Sequence, residues 1–192
     1  MVNLPLPQHG RFLAAPIVAL LILAGVTLFF VDRLIQHNAL SHAYTTLTND
    51  LFYAKEKAIN LKRTVTLCSK REDNNNCGNQ APGTWNNNRL IFIDLNKNKK
   101  IDNPEFCKPL PTFKRECILH KREHVDHSLQ FTTQPNIESI NFRPDGTLAQ
   151  QSEAIHINIC AQRNLSYGKG IQITVELSGH ISTNRTFDCA QN

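Results

Sequence analysis

An uninterrupted apolar segment near the N-terminus places the first limit on how this chain can fold. Residues 12–31 read FLAAPIVALLILAGVTLFFV and include no charged side chain. An α-helix rises about 1.5 Å per residue, so a segment of this length spans roughly 30 Å, the hydrocarbon thickness of a bilayer. The run is longer than the apolar part of a usual secretory signal, and no small-residue cleavage site follows it. The sequence therefore predicts a transmembrane helix over 12–31.

The charges around this segment predict its orientation. Residues 1–11 carry Arg11 and no acidic residue. Basic residues beside a membrane-spanning helix favour the cytoplasmic side. We therefore expect 1–11 to form a short cytoplasmic leader and the rest of the chain to lie across the membrane. The formal net charge of +5 permits contact with anionic partners but does not identify one.

Cysteine usage agrees with an extracytoplasmic location. The chain has six cysteines: Cys68, Cys77, Cys107, Cys117, Cys160 and Cys189. An even number suits a disulfide framework in an oxidising compartment, and the alternative is a set of reduced, partly buried thiols. Six cysteines can pair in many ways, so sequence alone does not fix the connectivity. Because neighbours along the chain would close polar loops or tie down the C-terminus, we predict Cys68–Cys77, Cys107–Cys117 and Cys160–Cys189.

Helical periodicity continues beyond the apolar segment. Apolar positions recur at spacings of four and three: Leu40, Tyr44, Leu47, Leu51, Ala54, Ala58, Leu61 and Val65. This one-faced stripe predicts that residues 32–63 continue the helix on the periplasmic side, with an end near Lys62. A coiled coil is an alternative, but Ala54 and Ala58 are better explained by a sheet lying close against the helix.

Residues 64–192 have the pattern of short strands between polar loops. Strands are predicted over 64–68, 90–94, 137–142, 155–160 and 171–177, and a polar loop over 69–88. Ile155, Ile157 and Ile159 fall on one face, as do Ile171, Ile173, Val175 and Leu177. Such alternation is typical of a half-buried antiparallel sheet. The predicted fold class is α+β: a long N-terminal helix, transmembrane and then amphipathic, packed on an antiparallel β-sheet in a disulfide-stabilised domain.

Four local strings occur in a recognisable order. Residues 50–68 read DLFYAKEKAINLKRTVTLC, Trp85 precedes LIFIDLNKNKKIDNPE at 90–105, and INFRPDGTL spans 140–148. Together with Cys160 and Cys189, these strings resemble the FimT/GspH family of type IV minor pilins and type II secretion pseudopilins. The resemblance covers most of the chain from about Asp50 onward.

The resemblance implies a pilin-like structural subunit without enzymatic activity or cofactor. Such a subunit would be anchored in the bacterial inner membrane with its C-terminal domain in the periplasm. It would assemble with other pilin-like subunits, through the N-terminal helix, into a type IV pilus or a type II secretion pseudopilus. Some relatives bind DNA in natural transformation, which implies an alternative role as a membrane-tethered DNA-uptake module.

Two departures from the family pattern concern processing and DNA. Gly10 occupies the position of the prepilin cleavage glycine, but Ala15 stands where the family has a glutamate five residues later. The family's Gly-Arg-x-Arg string on the last strand is replaced here by residues 179–182, Gly-His-Ile-Ser. Both arginines of the DNA-binding string are therefore missing.

One segment has the ligand spacing of a calcium loop. The candidate ligands are Asp94, Asn96, Asn98, Asp102 and Glu105, with Lys100 between them. Against calcium, Lys99 stands where such loops have glycine, and Lys97 and Lys100 add positive charge. A polar hairpin with Asx turns is the favoured interpretation.

The remaining candidates are a basic stretch and a histidine group. Residues 108–122 include Lys114, Arg115, Lys121 and Arg122, which could contact phosphate in a salt-sensitive way or form a solvated face. His120, His124 and His127 near Cys107 and Cys117 could suggest zinc, but an oxidising compartment would rather join the two cysteines. No arrangement of nucleophile, base and acid stands out in the sequence, so we do not expect an enzyme.

Overall fold

A computed structural model describes residues 10–69, 77, 85, 88–102, 105–107, 115–123, 128–161 and 168–189, with side chains for all of these except 10–16, 27–37 and 169. The chain divides into two compact units, one up to Asn38 and the other from Ala39. The described elements are one helix and eight strands: α1 Gly10–Leu61, β1 Val65–Ser69, β2 Arg89–Ile93, β3 Cys117–Arg122, β4 Leu129–Gln134, β5 Ser139–Phe142, β6 Ile155–Ala161, β7 Lys169–Val175 and β8 Ile181–Asp188.

In the first unit, side chains are described for residues 17–26 of α1. The large aliphatic side chains of this segment are exposed, from 47% for Val26 to 68% for Leu21. Among the residues whose side chains are described, no helix has an apolar stretch sufficient to cross a membrane.

In the second unit, α1 ends within one residue of the predicted position. Lys62 adopts a left-handed conformation with φ of 53°, and the Arg63 amide donates to the Ala58 carbonyl at 3.3 Å. A left-handed residue after the last turn lets following amides satisfy carbonyls that lose their helical partners. The chain then turns directly into β1.

The eight strands form two antiparallel sheets with orders β3-β2-β1-β5 and β4-β6-β7-β8. In the second sheet, alternating residues of β6 and β7 face the helix, as the isoleucine pattern predicts. The first sheet differs from the half-buried prediction because β1 and β2 are buried on both faces. A second apolar cluster, which includes Leu90, Phe92 and Ile101, covers the face away from the helix.

The main core lies between α1 and the two sheets. Leu47, Leu51, Ala54 and Ala58 of the helix are completely buried, and the small side chains of Ala54 and Ala58 leave room for the sheets to lie close to the helix. The core also contains Phe131 of β4, and it joins both sheets into one hydrophobic cluster. The helical stripe seen in the sequence is therefore the packing face of α1.

Several strand predictions need correction. Strands β3, β4 and β8 were not predicted, and the predicted single sheet is two sheets. Strand β7 ends at Val175, so Leu177 lies in the following turn and is 44% exposed rather than facing the core. The backbone turns at 176–179, where the Gly179 amide donates to the Glu176 carbonyl, and this turn carries Leu177 out of the strand.

Candidate functional surfaces

A buried carboxylate shared by two arginines lies between α1 and the first sheet. Asp50 Oδ2 accepts a 2.7 Å hydrogen bond from Arg89 Nε, and Asp50 Oδ1 accepts one of 2.8 Å from Arg122 Nη2. The side chains of Asp50 and Arg89 are 2% and 6% exposed, whereas that of Arg122 is 34% exposed. Arg89 and Arg122 are paired across β2 and β3, so Asp50 holds together two cations that would otherwise repel.

The same network reaches one of the sequence strings. Arg89 Nη1 also donates to the Trp85 carbonyl at 3.2 Å, and the Trp85 indole donates to the Ile137 carbonyl at 3.1 Å. Burial lowers the pKa of Arg89, and the negative charge of Asp50 opposes that effect.

Beside Arg122, α1 and β3 bring basic and aromatic groups together. Lys57 Nζ lies 5.2 Å from the centre of the Tyr53 ring, within cation–π range. The rings of Tyr53 and His120 are 5.8 Å apart, and the Tyr53 hydroxyl lies 3.5 Å from the Leu119 carbonyl. We call Tyr53, Lys57, His120 and Arg122 the α1/β3 patch. All four side chains are partly exposed.

The structure describes three of the four predicted phosphate contacts. Lys114 lies outside the described residues, and Arg115 is exposed. Lys121 and Arg122 lie on opposite faces of β3, since successive side chains of a strand alternate. Lys121 forms an ion pair with Glu123, and Arg122 binds Asp50.

The 94–102 loop is organised around two buried acids. The Glu116 carboxylate accepts hydrogen bonds from the backbone amides of Leu95, Asn96 and Asp102, at 3.0 to 3.3 Å. Asp94 Oδ2 accepts from the Thr66 hydroxyl and from the Lys99 amide, both at 3.1 Å. These acceptors fix the path of the loop from inside.

Successive Asx turns complete the same loop. Asn96 Oδ1 accepts from the Asn98 amide at 3.0 Å, and Asn98 Oδ1 accepts from the Lys100 amide at 2.7 Å. Lys97 and Lys99 are left-handed, with φ of 60° and 61°, and their side chains are exposed. The side-chain oxygens of Asn96 and Asn98 therefore accept backbone N–H groups, as in a polar hairpin with Asx turns. No metal-binding group of three or more acids, cysteines or histidines occurs within the described residues.

Two turns from different sheets meet beneath Lys55. The Lys55 ammonium group donates to the Gly179 carbonyl at 2.8 Å. A Cβ atom at Gly179 would overlap the Gly146 carbonyl oxygen, and one at Gly146 would lie 2.8 Å from Ile59 Cδ1. Both glycines also have positive φ, so a side chain at either position is disfavoured by backbone conformation as well as by steric overlap. The Leu148 amide donates to the Leu177 carbonyl at 3.0 Å and joins the two turns directly.

The structure pairs the cysteines in sequence order: Cys68–Cys77, Cys107–Cys117 and Cys160–Cys189. The last of these crosses β7 at Gly170, where a Cβ atom would lie 2.5 Å from Cys189 Sγ and 2.9 Å from Cys160 Sγ. It therefore ties the end of β8 to β6 across the intervening strand. Because Cys107 and Cys117 are bonded to each other, neither offers a thiolate to zinc, and His124 and His127 lie outside the described residues.

The residues that replace the Gly-Arg-x-Arg string, 179–182, span the end of the turn before β8 and the first two residues of that strand. His180 is exposed immediately before β8, and within the strand the Arg185 guanidinium lies 5.3 Å from the centre of the Tyr44 ring on α1. A hydrogen bond with Thr183 lowers the pKa of Tyr44, and the nearby Arg185 lowers it further. The basic side chain of β8 is therefore Arg185, and it packs against Tyr44 of the helix.

Sequence reasoning missed the Asp50 network and the α1/β3 patch. Asp50 lies on the helix next to the buried Leu51, which is a weak signal for a buried acid. Its partners are 39 and 72 residues away, so no local pattern connects them.

Comparison with known proteins agrees with this architecture. The family model for the type II transport protein GspH matches residues 43–179. The type IV minor pilin FimU of Pseudomonas aeruginosa, in two crystal forms, has TM-scores of 0.56 and 0.53 at 17% and 18% identity. The likeness covers 80% and 78% of this chain and 97% and 99% of FimU.

A second solved structure is more distant. The minor pseudopilin EpsH from the type 2 secretion system of Vibrio cholerae has a TM-score of 0.46 at 9% identity, over 76% of this chain and 96% of EpsH. No curated protein sequence matches the chain. The helix-on-sheets fold is that of a minor pilin, and the family match spans the end of α1, strands β1 to β7 and the turns under Lys55. The chain belongs to the GspH family of type II transport proteins.

Proposed function

We propose that this protein is a membrane-anchored, pilin-like structural subunit that assembles with other pilin-like subunits in a type IV pilus or a type II secretion pseudopilus. The observation that carries the proposal is the difference in side-chain burial between two parts of α1. Its Leu47–Ala58 face is buried under the sheets, whereas the apolar side chains of residues 17–26 are exposed. Exposed aliphatic side chains in such number need a lipid or protein environment.

The proposed anchor is the uncharged segment 12–31. Its length suits a bilayer, and the only charged residue in 1–11 is Arg11, which favours a cytoplasmic N-terminus. The oxidised cysteines suit a periplasmic location for the domain that follows. Three kinds of evidence therefore support one topology.

Photo-crosslinking of the full chain tests this assembly. We would place a photoreactive phenylalanine analogue at Leu21, which is 68% exposed, and as a matched control at Glu153 in an exposed turn. We expect the Leu21 probe to capture pilin-like proteins and lipid, identified by mass spectrometry, and the Glu153 probe to capture neither. Capture of neither partner at Leu21 would contradict the proposal.

The mass of the membrane-extracted protein tests the anchor separately. Retention of residues 12–31 is expected, with the full mass or with the loss of residues 1–10 if Gly10 is a processing site. A soluble periplasmic form that begins near residue 32 would show that the segment is a cleaved signal. Loss at Gly10 would identify prepilin-type processing despite Ala15.

A second candidate function, favoured by the α1/β3 patch, is binding of DNA through its phosphates. Lys57 and Arg122 are partly exposed cations; Lys57 lies against the Tyr53 ring, which contacts His120, and the counter-charge of Arg122, Asp50, is buried. Cations that neutralise phosphates release condensed counterions, so this binding should weaken steeply with salt.

Gel-shift assays of variants on the two faces of β3 can show which face contacts DNA. The double variant Lys57→Ala with His120→Ala should weaken DNA binding, whereas Lys121→Ala on the opposite face should not. Lys114→Ala and Arg115→Ala test the basic stretch predicted from sequence, and His180→Ala tests the position of the family string. No shift for the intact protein at low salt would remove this second candidate and leave the structural role.

A further inference from the structure

Strand β8 contains an Asn-x-Thr tripeptide that is exposed in the folded domain. Its members are Asn184, Arg185 and Thr186, and all three residues are exposed. Asn-x-Ser/Thr, with any residue except proline in the middle, is the acceptor sequence for N-linked glycosylation of surface segments in exported proteins. The conformation and surroundings of the tripeptide decide whether its asparagine can react.

The tripeptide lies at a bulge in an edge strand. β8 is the last strand in the order β4-β6-β7-β8. Between Asn184, which pairs with Gln172, and Phe187, which pairs with Gly170, β8 has one residue more than β7. The extra residue of a bulge is left out of the ladder of backbone hydrogen bonds, and the bulged strand bends. The neighbouring strand therefore holds β8 less regularly at the acceptor tripeptide than along the rest of its length.

The asparagine side chain of this tripeptide forms an Asx turn with the threonine. Asn184 Oδ1 accepts a hydrogen bond from the Thr186 backbone amide at 3.0 Å and one from the Thr186 hydroxyl at 2.9 Å. Donors aimed at an oxygen stabilise the negative charge that develops there during a reaction. When Asn184 Nδ2 gives up a proton, the negative charge is shared with Oδ1. The two hydrogen bonds therefore make this N–H group more acidic and its nitrogen a better nucleophile.

The Asn184 side chain points away from α1. Thr183 forms a side-chain hydrogen bond with Tyr44 of the helix, and the Arg185 guanidinium lies over the ring of the same tyrosine. Successive side chains of a strand point to opposite faces, so Asn184 and Thr186 project from the other side of the sheet. The amide nitrogen is thus accessible to an enzyme that approaches the open edge.

We propose that Asn184 is a site of N-linked glycosylation. The donor is an oligosaccharide joined to a lipid pyrophosphate, and a membrane-bound oligosaccharyltransferase catalyses the transfer outside the cytoplasm. Asn184 Nδ2 attacks the anomeric carbon of the sugar and forms a C–N bond, while the bond from that carbon to the pyrophosphate oxygen breaks. The lipid pyrophosphate leaves with the electron pair, and the amide proton passes to a base of the transferase. The step involves no oxidation or reduction.

A glycan at this position has a physical consequence for the second sheet. An edge strand presents unpaired backbone N–H and C=O groups that can pair with another chain. A bulky, hydrophilic glycan at the bulge of β8 would block such pairing. The inference rests on the extracytoplasmic location proposed above, and not on assembly into a pilus or pseudopilus.

Mass spectrometry of the full chain, purified from the membranes of its native host, tests the site. The protease Glu-C cuts after Glu176 and leaves the tripeptide intact, and electron-transfer fragmentation locates an added sugar mass on Asn184. We expect this peptide to carry hexose or hexosamine residues. Alkylation before reduction counts free thiols in the same sample. An unmodified Asn184 in a fully oxidised protein would overturn this proposal alone, whereas free thiols would contradict the extracytoplasmic location and the proposal with it.

Matched threonine variants show whether the tripeptide directs the modification. Thr186→Ser keeps the hydroxyl and should retain the glycan, whereas Thr186→Val removes the hydroxyl and should lose it. Thr183→Val makes the same change at the neighbouring exposed threonine and should leave the glycan in place. A second tripeptide of this kind, at 164–166, lies outside the described residues, and Asn164→Gln in all samples removes its contribution. A glycan that persists in Thr186→Val, or equal losses in Thr186→Val and Thr183→Val, would overturn the proposal.

Discussion

The Lys55 ammonium group on α1 donates a 2.8 Å hydrogen bond to the carbonyl oxygen of Gly179, between β7 and β8. The Lys55 Cε atom also lies 3.4 Å from the position of a Cβ atom at Gly179. One lysine therefore fixes the helix against a turn of the second sheet, and that turn in turn rests on Gly146 of the first. The glycine that opens the family's C-terminal string has a structural role here that does not depend on the missing arginines.

Substitution of Gly179 by alanine should destabilise the domain by about 2–3 kcal/mol, because the new Cβ atom meets the Gly146 carbonyl and φ is +74°. Denaturant unfolding measures the change. Leu177→Ala in the same turn is the control and should cost less than about 1 kcal/mol, since its side chain is exposed. Equal losses would mean that the turn is not tightly held.

Asp50→Asn should lower the free energy of unfolding by about 3–5 kcal/mol, because it leaves Arg89 buried without a counter-charge. The amide is nearly isosteric, so the loss reports charge rather than volume. Glu123→Gln removes the exposed ion pair of Lys121 and should change stability by less than about 1 kcal/mol. A small effect of Asp50→Asn would indicate that Arg89 finds other acceptors.

Local periodicity explains what the sequence predicts well. The stripe on α1 and the isoleucines of β6 each occupy one face of a regular element, and their burial follows from spacing. Strand β8, ISTNRTFD, has few apolar residues because it lies at the edge of its sheet, and it gives almost no such signal. Strand β3 is also an edge strand, and its basic residues resemble a solvated loop.

Long-range partners explain what it predicts poorly. Asp50, Arg89 and Glu116 are buried polar residues whose burial depends on partners elsewhere in the chain. The path of the calcium-like loop 94–102 likewise depends on Glu116, which lies 14 to 21 residues from the amides that it binds. No window of local sequence contains both parts of these contacts.

The 94–102 loop should be indifferent to calcium. A ligand that bound the native loop would raise the unfolding temperature as its concentration exceeded its dissociation constant. We expect millimolar calcium and a chelator to give the same unfolding temperature, within about 1 °C. Glu116→Gln, in contrast, should destabilise the protein, because three backbone amides lose a charged acceptor. A calcium-dependent rise that Asp94→Asn abolishes would restore the metal interpretation.

The turn after β5 provides a pH-dependent contact. Asp145 Oδ1 accepts hydrogen bonds from the Thr147 hydroxyl at 2.7 Å and the Thr147 amide at 2.9 Å, and these bonds lower the pKa of Asp145. A carboxyl group whose folded pKa is depressed stabilises the fold above its unfolded pKa, and this contribution is lost as the pH falls through the folded pKa. In an NMR titration, the Thr147 amide should therefore shift at a pH below the ordinary aspartate range. Thr147→Val removes the hydroxyl donor and should move the midpoint upward, whereas Thr186→Val, at a distant exposed hydroxyl, should not. An Asp145 midpoint that is the same with and without the Thr147 hydroxyl would show that this bond does not stabilise the carboxylate.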